Sequence, residues 1–276
     1  MKNELDGWKL DLDIPNPIPS KIPKPLKMIP STLSSVDQVM ELYYAIAYFR
    51  SFYNKLYLFR GHSDSDYQLV STIGRLNRTD YSKEIEVYDE LRSICDRYGY
   101  NRFRMSTFNE ELFYYGIGRH LGLTCRLLDW TAGFWDAASF ILHDNQDKDG
   151  VLWVMMTHSD YNLENLSPFS VADDGIHILK EDYFIPDVSF SFPLAILRRS
   201  RQHGFFTVVK ESMISTPLNE IKTDSPIEFY RFVIPKSLKE SLRSNLHIVS
   251  VNEWLYISKT DPIIEEIDYL NRLIVP

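Results

Sequence analysis

Helical and strand-like segments follow one another in irregular order along the chain, and this order most restricts the folds open to it. Apolar spacing predicts helices at about 35–52, 82–98, 108–121, 136–143, 236–243 and 263–273. Alternating or continuous apolar runs predict strands at 56–60, 151–157, 205–209 and 227–235. Because regular strand–helix–strand alternation is missing, the pattern favours an α+β fold over a doubly wound sheet.

A proline-rich arm precedes these segments. Residues 15–30 contain six prolines, namely Pro15, Pro17, Pro19, Pro23, Pro25 and Pro30. Proline fixes φ and removes a backbone donor, so this stretch is neither a helix nor a central strand. We therefore divide the chain into an extended arm, 1–33, and one domain, 34–276. The arm is predicted to be a strap on the domain or a tail, with a partner-binding segment as the alternative.

Composition and charge restrict the location and the partners. The chain has 30 basic and 38 acidic residues, a formal net charge of −8, which argues against broad charge-driven binding to nucleic acid or membranes. Cys95 and Cys125 lack paired spacing, and the histidines lack HExxH spacing, so neither a disulfide framework nor a metal site is expected. Without a signal peptide or a run of ~18 apolar residues, a cytoplasmic protein is predicted.

The first polar cluster is Phe59-Arg60-Gly61-His62, at the end of a predicted strand. Arginine stays charged and forks around carboxylate or phosphate, and the following glycine lets a backbone or a ligand come close. Arg60 is therefore a candidate anion anchor. The alternative is a surface arginine before a turn.

The second cluster runs over 118–131 and mixes polar residues with leucines. Gly122 is predicted to end the preceding helix. Some of the charged side chains must be buried and need partners, and Arg126 with Asp129 is the natural pair. His120 is interpreted either as a core histidine or as a residue that contacts a ligand or transfers a proton. Cys125, among leucines, is interpreted as an inert buried thiol.

The third cluster begins with Arg198, Arg199 and Arg201 and continues to Gln202 and Gly204. The three arginines form either a solvated charged loop or a strip that attracts the phosphates of an RNA acceptor. The carboxamide of Gln202 could bond to a ligand amide or a base edge. GxSxG, Walker A and GxGxxG motifs are missing from the sequence, which removes support for hydrolase, P-loop and Rossmann functions.

At these clusters the sequence resembles the FRG-domain family. Phe59-Arg60-Gly61 matches the motif that names the family, and 119–131 matches its QHxGxxTRLLDWT motif. Arg119 stands where that motif has glutamine, and Cys125 where it has threonine. A later element corresponds to Gln202-His203-Gly204-Phe205. The resemblance spans about residues 40–260.

The family is in turn similar to ADP-ribosyltransferases and to toxins of bacterial defence loci. This resemblance implies a mixed or split, curved sheet flanked by helices, with NAD as substrate. It also implies an RNA or protein acceptor and an antitoxin as further partner, without a membrane. The catalytic residues it implies are Arg60, His120, Arg126 and Asp129. The NAD-binding residues it implies are Arg60, Gly61, His62, Tyr115, Thr131 and Gln202.

Several points stay open at the level of sequence. The catalytic carboxylate is Glu111, Asp129 or Glu253, because Gly204 stands where an acid usually follows. Tyr115 or Trp130 is a candidate ring for stacking on nicotinamide. The alternatives to a transferase are a non-catalytic nucleotide- or phosphate-binding module and an RNA-cleaving toxin that uses His62, His120 and Arg126 for acid–base and phosphate chemistry.

Overall fold

The computed structural model describes residues 22–104, 108–158, 163–171, 173–180, 204–222, 224, 226–246 and 262–275. These residues form an α+β fold in which helices flank a six-stranded sheet, as the order of segments predicted. None of the helices in these ranges is long and apolar enough to cross a membrane.

The sheet is antiparallel at every pair of neighbouring strands. Its strands are β1 (Lys55–His62), β2 (Leu128–Thr131), β3 (Gly150–His158), β4 (Ile176–Lys180), β5 (Gly204–Val209) and β6 (Glu228–Ile234). Their order is β4-β5-β2-β1-β3-β6. Single parallel bridges, Thr32 to Val233 and Glu164 to Leu179, extend the two edges.

Seven α-helices lie in the described ranges. They are α1 (Val36–Tyr53), α2 (Ser82–Glu86), α3 (Tyr88–Arg97), α4 (Glu110–His120), α5 (Phe134–His143), α6 (Lys236–Leu246) and α7 (Pro262–Ile274).

Two helix ends are defined in atomic detail, and the one predicted at Gly122 is confirmed. The Ser35 side chain accepts a hydrogen bond from the Gln38 amide at 3.3 Å and caps α1. Gly122, with φ of 98°, ends α4, and the Leu123 amide donates to the Gly118 carbonyl at 2.8 Å. A left-handed residue at this position is the usual end of a helix because glycine adopts it without steric cost.

The single helix predicted over 82–98 is wrong. The chain forms two helices, α2 and α3, that meet at Val87. In α2 the Glu84 side chain is fully buried while Ile85 is 47% exposed, the reverse of the orientation that hydropathy predicts. The reason is an ion pair between Glu84 and Arg126, which draws the carboxylate inward.

Apolar side chains on the two faces of β1 and β3 enter different cores, because side chains alternate along a strand. Tyr57, Phe59, Leu152 and Val154 pack with α1, α5 and α6. Leu58, Val151, Trp153 and Met155 belong to a larger core that includes residues of α3, α4 and α7. The described part of the arm joins the first core through Leu26, Ile29 and Leu33.

Strands β1 and β2 are paired over a very short length. Phe59 with Thr131 is their one registered pair, whereas β1 pairs with β3 along its whole length. Beyond this pair the two strands diverge, and the sheet opens between β4-β5-β2 and β1-β3-β6. The opening lies beside Arg60, the residue that follows Phe59.

Candidate functional site

A cavity of about 270 Å³ lies at the opening between β1 and β2. Its walls come from the ends of the two strands, from the C-terminal end of α4 and from α5. They consist of Phe59, Arg60, Gly61, Arg119, His120, Gly122, Asp129, Trp130, Thr131 and Phe140. Two stretches that are far apart in the sequence, 59–61 and 119–131, thus meet around one space.

The guanidinium group of Arg60 spans the gap between the diverging strands. Its Nη1 donates to the Asp129 carbonyl at 2.6 Å and lies 3.3 Å from the Asp129 carboxylate. A side chain thus replaces the backbone bonds that β1 and β2 do not make. Burial lowers the pKa of Arg60 to about 10, against the opposing effect of Asp129, so the group stays charged at neutral pH.

His62 orients Arg60 from the next position on the same strand face. The Arg60 Nε–H donates to His62 Nε2 at 2.7 Å, so Nε2 must be the unprotonated nitrogen of the ring. Nδ1 then carries the proton and donates to the Tyr67 carbonyl at 3.2 Å. Burial, and secondly the charge of Arg60, lower the pKa of His62 to about 3. His62 is therefore a neutral hydrogen-bond acceptor at physiological pH.

Asp129 is held between two arginines. Arg119, on α4, donates to its carboxylate through Nε at 2.9 Å and Nη2 at 2.7 Å, while Arg60 approaches from β1. Burial alone would raise the pKa of Asp129, but the charges of Arg119 and Arg60 lower it well below its usual range. The carboxylate is ionised, and it fixes both guanidinium groups at the cavity wall.

Positive charge exceeds negative charge around the cavity. Arg75, an exposed residue after the loop that follows β1, interacts electrostatically with Arg60, Arg119 and Asp129. Burial, and secondly the charge of Arg119, lower the pKa of Arg75. Two guanidinium groups of the wall, with a third nearby at Arg75, thus outnumber the one carboxylate of the wall, and the remaining positive charge suits an anionic ligand.

His120 and Thr131 complete the wall between α4 and β2. His120 is buried, and its ring lies 5.9 Å from that of Phe206. The Thr131 hydroxyl accepts from the Gly133 amide at 2.9 Å, at the start of α5. Gly61 lets α5 come close, since a Cβ there would lie 1.8 Å from the Ala137 carbonyl oxygen. The close backbone approach expected at this glycine is confirmed.

A family comparison matches this region. The model of the FRG domain covers residues 55–150, which include both stretches that wall the cavity. Residues 55–150 are therefore similar to the FRG domain. Comparisons with curated proteins and with solved structures give no significant match.

The predicted pairing of Arg126 with Asp129 is wrong. Arg126 donates instead to Glu84, from Nε at 2.8 Å and from its backbone amide at 2.6 Å, and its guanidinium lies 4.5 Å from the Phe169 ring centre. Arg126 therefore faces α2, away from the cavity, while Asp129 faces Arg119.

Three further residues predicted for the site, Tyr115, Glu111 and His62, lie outside the cavity wall. Tyr115 is fully buried, where its hydroxyl donates to the Glu84 carbonyl and its ring stacks on Tyr88. The carboxylate of Glu111 accepts from the Ser167 hydroxyl. His62 acts on the cavity only through Arg60. The basic segment 198–201, Gln202 and Glu253 lie outside the described residues.

The sequence did not single out Arg119 or Arg75 at the site, nor Glu84 as the partner of Arg126. Arg119 was considered only as a departure from the motif, Arg75 follows a glycine in an unremarkable loop, and Glu84 sits in a charged helix. The Thr72 hydroxyl also accepts from the Cys125 amide at 3.0 Å and lies 3.4 Å from Arg119. The one signal in the sequence for the pairing of Arg119 with Asp129 is their separation by ten residues, with the end of a helix and the start of a strand between them. In the described ranges, no group of three or more His, Cys, Asp or Glu could hold a metal.

His62 is expected to stay neutral in the folded protein. Its pKa of about 3 lies below the ordinary 6.5, so the unfolded chain takes up the proton first as the pH falls. Its contribution to stability is thus complete above about pH 6.5 and is lost toward pH 3. Two-bond ¹H–¹⁵N spectra of the imidazole should show the Nδ1–H form unchanged between pH 7 and 5.

His177 provides an internal control for this titration. Its ring nitrogens lie 2.7 Å from Glu164 and 2.8 Å from Asp173. Burial opposes protonation, but these carboxylates raise the pKa of His177 above its ordinary value. His177 should therefore be protonated at pH 6 while His62 is not. Titration of His62 near pH 6.5 would show that it does not accept the Arg60 bond.

Proposed function

We propose that the cavity binds NAD and that the FRG domain transfers ADP-ribose from NAD to a macromolecular acceptor. The observation that carries this proposal is the Arg60–Asp129–Arg119 constellation at the opening between β1 and β2. Two guanidinium groups held by one carboxylate at a cavity wall are preorganised to receive the pyrophosphate of a dinucleotide.

The chemistry needs few protein groups. The bond between the ribose C1′ and the nicotinamide nitrogen breaks, and nicotinamide leaves with the bonding electron pair. The acceptor nucleophile then bonds to C1′ and loses its proton. The intermediate positive charge on the ribose resembles an oxocarbenium ion, which a nearby carboxylate stabilises. Asp129 is the carboxylate among the residues that wall the cavity. His120, in the same wall, is placed to contact a ribose hydroxyl.

The proposal is tested by incubating the full chain with NAD that carries separate labels on nicotinamide and on adenine. Free nicotinamide should appear, and the adenine label should move to total RNA or total protein. Expression of the active chain should arrest bacterial growth, in keeping with the resemblance to defence toxins, and a cognate antitoxin should relieve this arrest. If an Arg60→Ala variant released nicotinamide as fast as wild type, the cavity would have no part in the reaction.

A second function, nucleotide binding without turnover, is favoured by one observation. Asp129 is already bonded to two arginines, which neutralises much of the charge that a developing cation requires. Saturable NAD binding without nicotinamide release would support this module. RNA cleavage in the absence of NAD would instead support the RNA-cleaving toxin. The neutral, hydrogen-bonded state of His62 argues against its use as an acid in that reaction.

A further inference from the structure

A second groove, of about 610 Å³, lies on β3 and β6 and is bordered by residues 219–222 and by Ile227. Its lining combines aromatic, cationic and amide side chains. The residues are Trp153, Ile176, Asn219, Ile221, Lys222, Ile227, Phe229 and Arg231. Lys222 and Arg231 are exposed cations, and no carboxylate belongs to this described lining.

The groove faces the same side of the sheet as Arg60. Arg60 lies directly opposite Trp153, and Trp153 directly opposite Arg231, in the register of β1, β3 and β6. Residues directly opposite in antiparallel strands project from the same face. Since neighbouring strands are ~4.8 Å apart, about 10 Å separates the backbones at Arg60 and Arg231. A chain bound in the groove is therefore within a few residues' reach of the cavity.

Trp153 supplies a donor that has no acceptor in the described part of the chain. The residue is 7% exposed, and its indole nitrogen is buried without a hydrogen-bond partner there. Leaving a buried donor unpaired is costly, so a ligand oxygen that reaches it would be bound favourably. Arg231 lies over the same indole at 5.9 Å and donates one of its hydrogens to the Ser65 carbonyl, which holds the guanidinium at the groove.

We propose that this groove binds single-stranded RNA, whose phosphates contact Lys222 and Arg231. A base stacks on the partly buried ring of Phe229, and a base or phosphate oxygen accepts from the Trp153 indole. The phosphates of RNA can contact the two cations, and its bases can stack on the aromatic ring beside them. Surfaces that bind single strands typically combine cations with aromatic rings in this way. An acidic peptide would use the cations but leave the ring unmatched. The role of this RNA as the acceptor of ADP-ribose rests on the proposed function. The binding of RNA in the groove is independent of it.

The test measures binding of a short fluorescein-labelled single-stranded RNA by anisotropy across a salt series. The double variant Lys222→Ser/Arg231→Ser should weaken binding at least tenfold. It should also reduce the slope of log K against log salt by about 1.4, because each phosphate contact contributes ~0.7 for single strands. The matched control Lys236→Ser/Arg272→Ser removes two exposed cations elsewhere and should change neither quantity beyond the small effect of net charge.

Two milder variants test the uncharged contacts. Phe229→Leu should weaken binding about fivefold or more, because stacking on one ring contributes ~1–3 kcal/mol per base. Trp153→Phe keeps an aromatic ring but removes the donor, and should weaken binding by about two- to tenfold. Both variants are checked for folding by their unfolding transitions.

The outcomes separate this proposal from the preceding one. RNA binding that depends on the groove variants, without any NAD binding, supports the groove and rejects the transferase. The groove proposal is overturned if wild type and the double variant bind RNA with equal affinity while NAD turnover places the adenine label on protein alone. The same holds if a glutamate-rich peptide binds in the groove and RNA does not.

Discussion

Replacing Glu84 by alanine is expected to lower the free energy of unfolding by about 3–5 kcal/mol, because it removes the fully buried partner of Arg126 and leaves that buried charge facing the exposed Glu211 carboxylate at 3.8 Å. The Glu84 side chain is fully buried and that of Arg126 is 4% exposed. One Glu84 oxygen accepts from the Arg126 amide and the other from its Nε. Urea denaturation followed by fluorescence measures the loss.

Two further variants make the result interpretable. Glu86→Ala, on the same helix, removes a carboxylate whose pairing with Lys83 is solvent-exposed, and should cost less than about 1 kcal/mol. Glu84→Gln serves if Glu84→Ala does not fold, because it keeps an oxygen that can accept from Arg126. Its urea unfolding midpoint should lie below that of wild type. Equal stability of Glu84→Ala and wild type would refute the structural role of the pair.

Replacing Arg60 by alanine is expected to weaken NAD binding by about 100-fold or more. Charge-assisted hydrogen bonds contribute ~1.5–3 kcal/mol each, and the guanidinium can offer two to a pyrophosphate. Some stability should be lost as well, because the Arg60 side chain is only 14% exposed and bonds to Asp129 and His62. Calorimetric titration with NAD measures the affinity, and thermal unfolding measures the stability.

Arg50→Ala is the matched control for the structural part of this effect. The Arg50 guanidinium also joins the two sides of the β1–β2 junction, through the carbonyls of Tyr57 and Ala132, but it does not line the cavity. Its loss should reduce stability and leave NAD affinity within about threefold of wild type. If both variants bind NAD equally, whether well or poorly, Arg60 has no specific role in binding.

The sequence predicted the elements that carry a clear apolar period. The bounds of α1, β1, α5, β3 and β6 lie within two residues of those expected. β4 was not predicted, because five residues with two polar members give too short an alternation. The inward orientation of Glu84 was missed for a different reason: it depends on its partner Arg126, which lies 42 residues away in the sequence.

The candidate site was predicted in part for the same reason. Local motifs indicated Arg60, Gly61, His120, Asp129 and Thr131, and these residues do meet at one cavity. The partners of the charges could not be predicted, because they depend on where the strands diverge. A single registered pair between β1 and β2 leaves room for the Arg60 guanidinium beside Asp129, and Arg119 reaches the same carboxylate from the end of α4.

The central claim, that NAD binds at the arginines of the β1–β2 opening, is tested most directly by arginine Nε–Hε NMR spectra during an NAD titration. The Nε–H groups of Arg60, Arg119 and Arg126 donate to His62, Asp129 and Glu84 respectively, so each reports on a defined contact. The resonances of Arg60 and Arg119 should shift together and saturate at one NAD concentration, while that of Arg126, outside the cavity, stays in place. Unchanged Arg60 and Arg119 resonances at saturating NAD would contradict the claim.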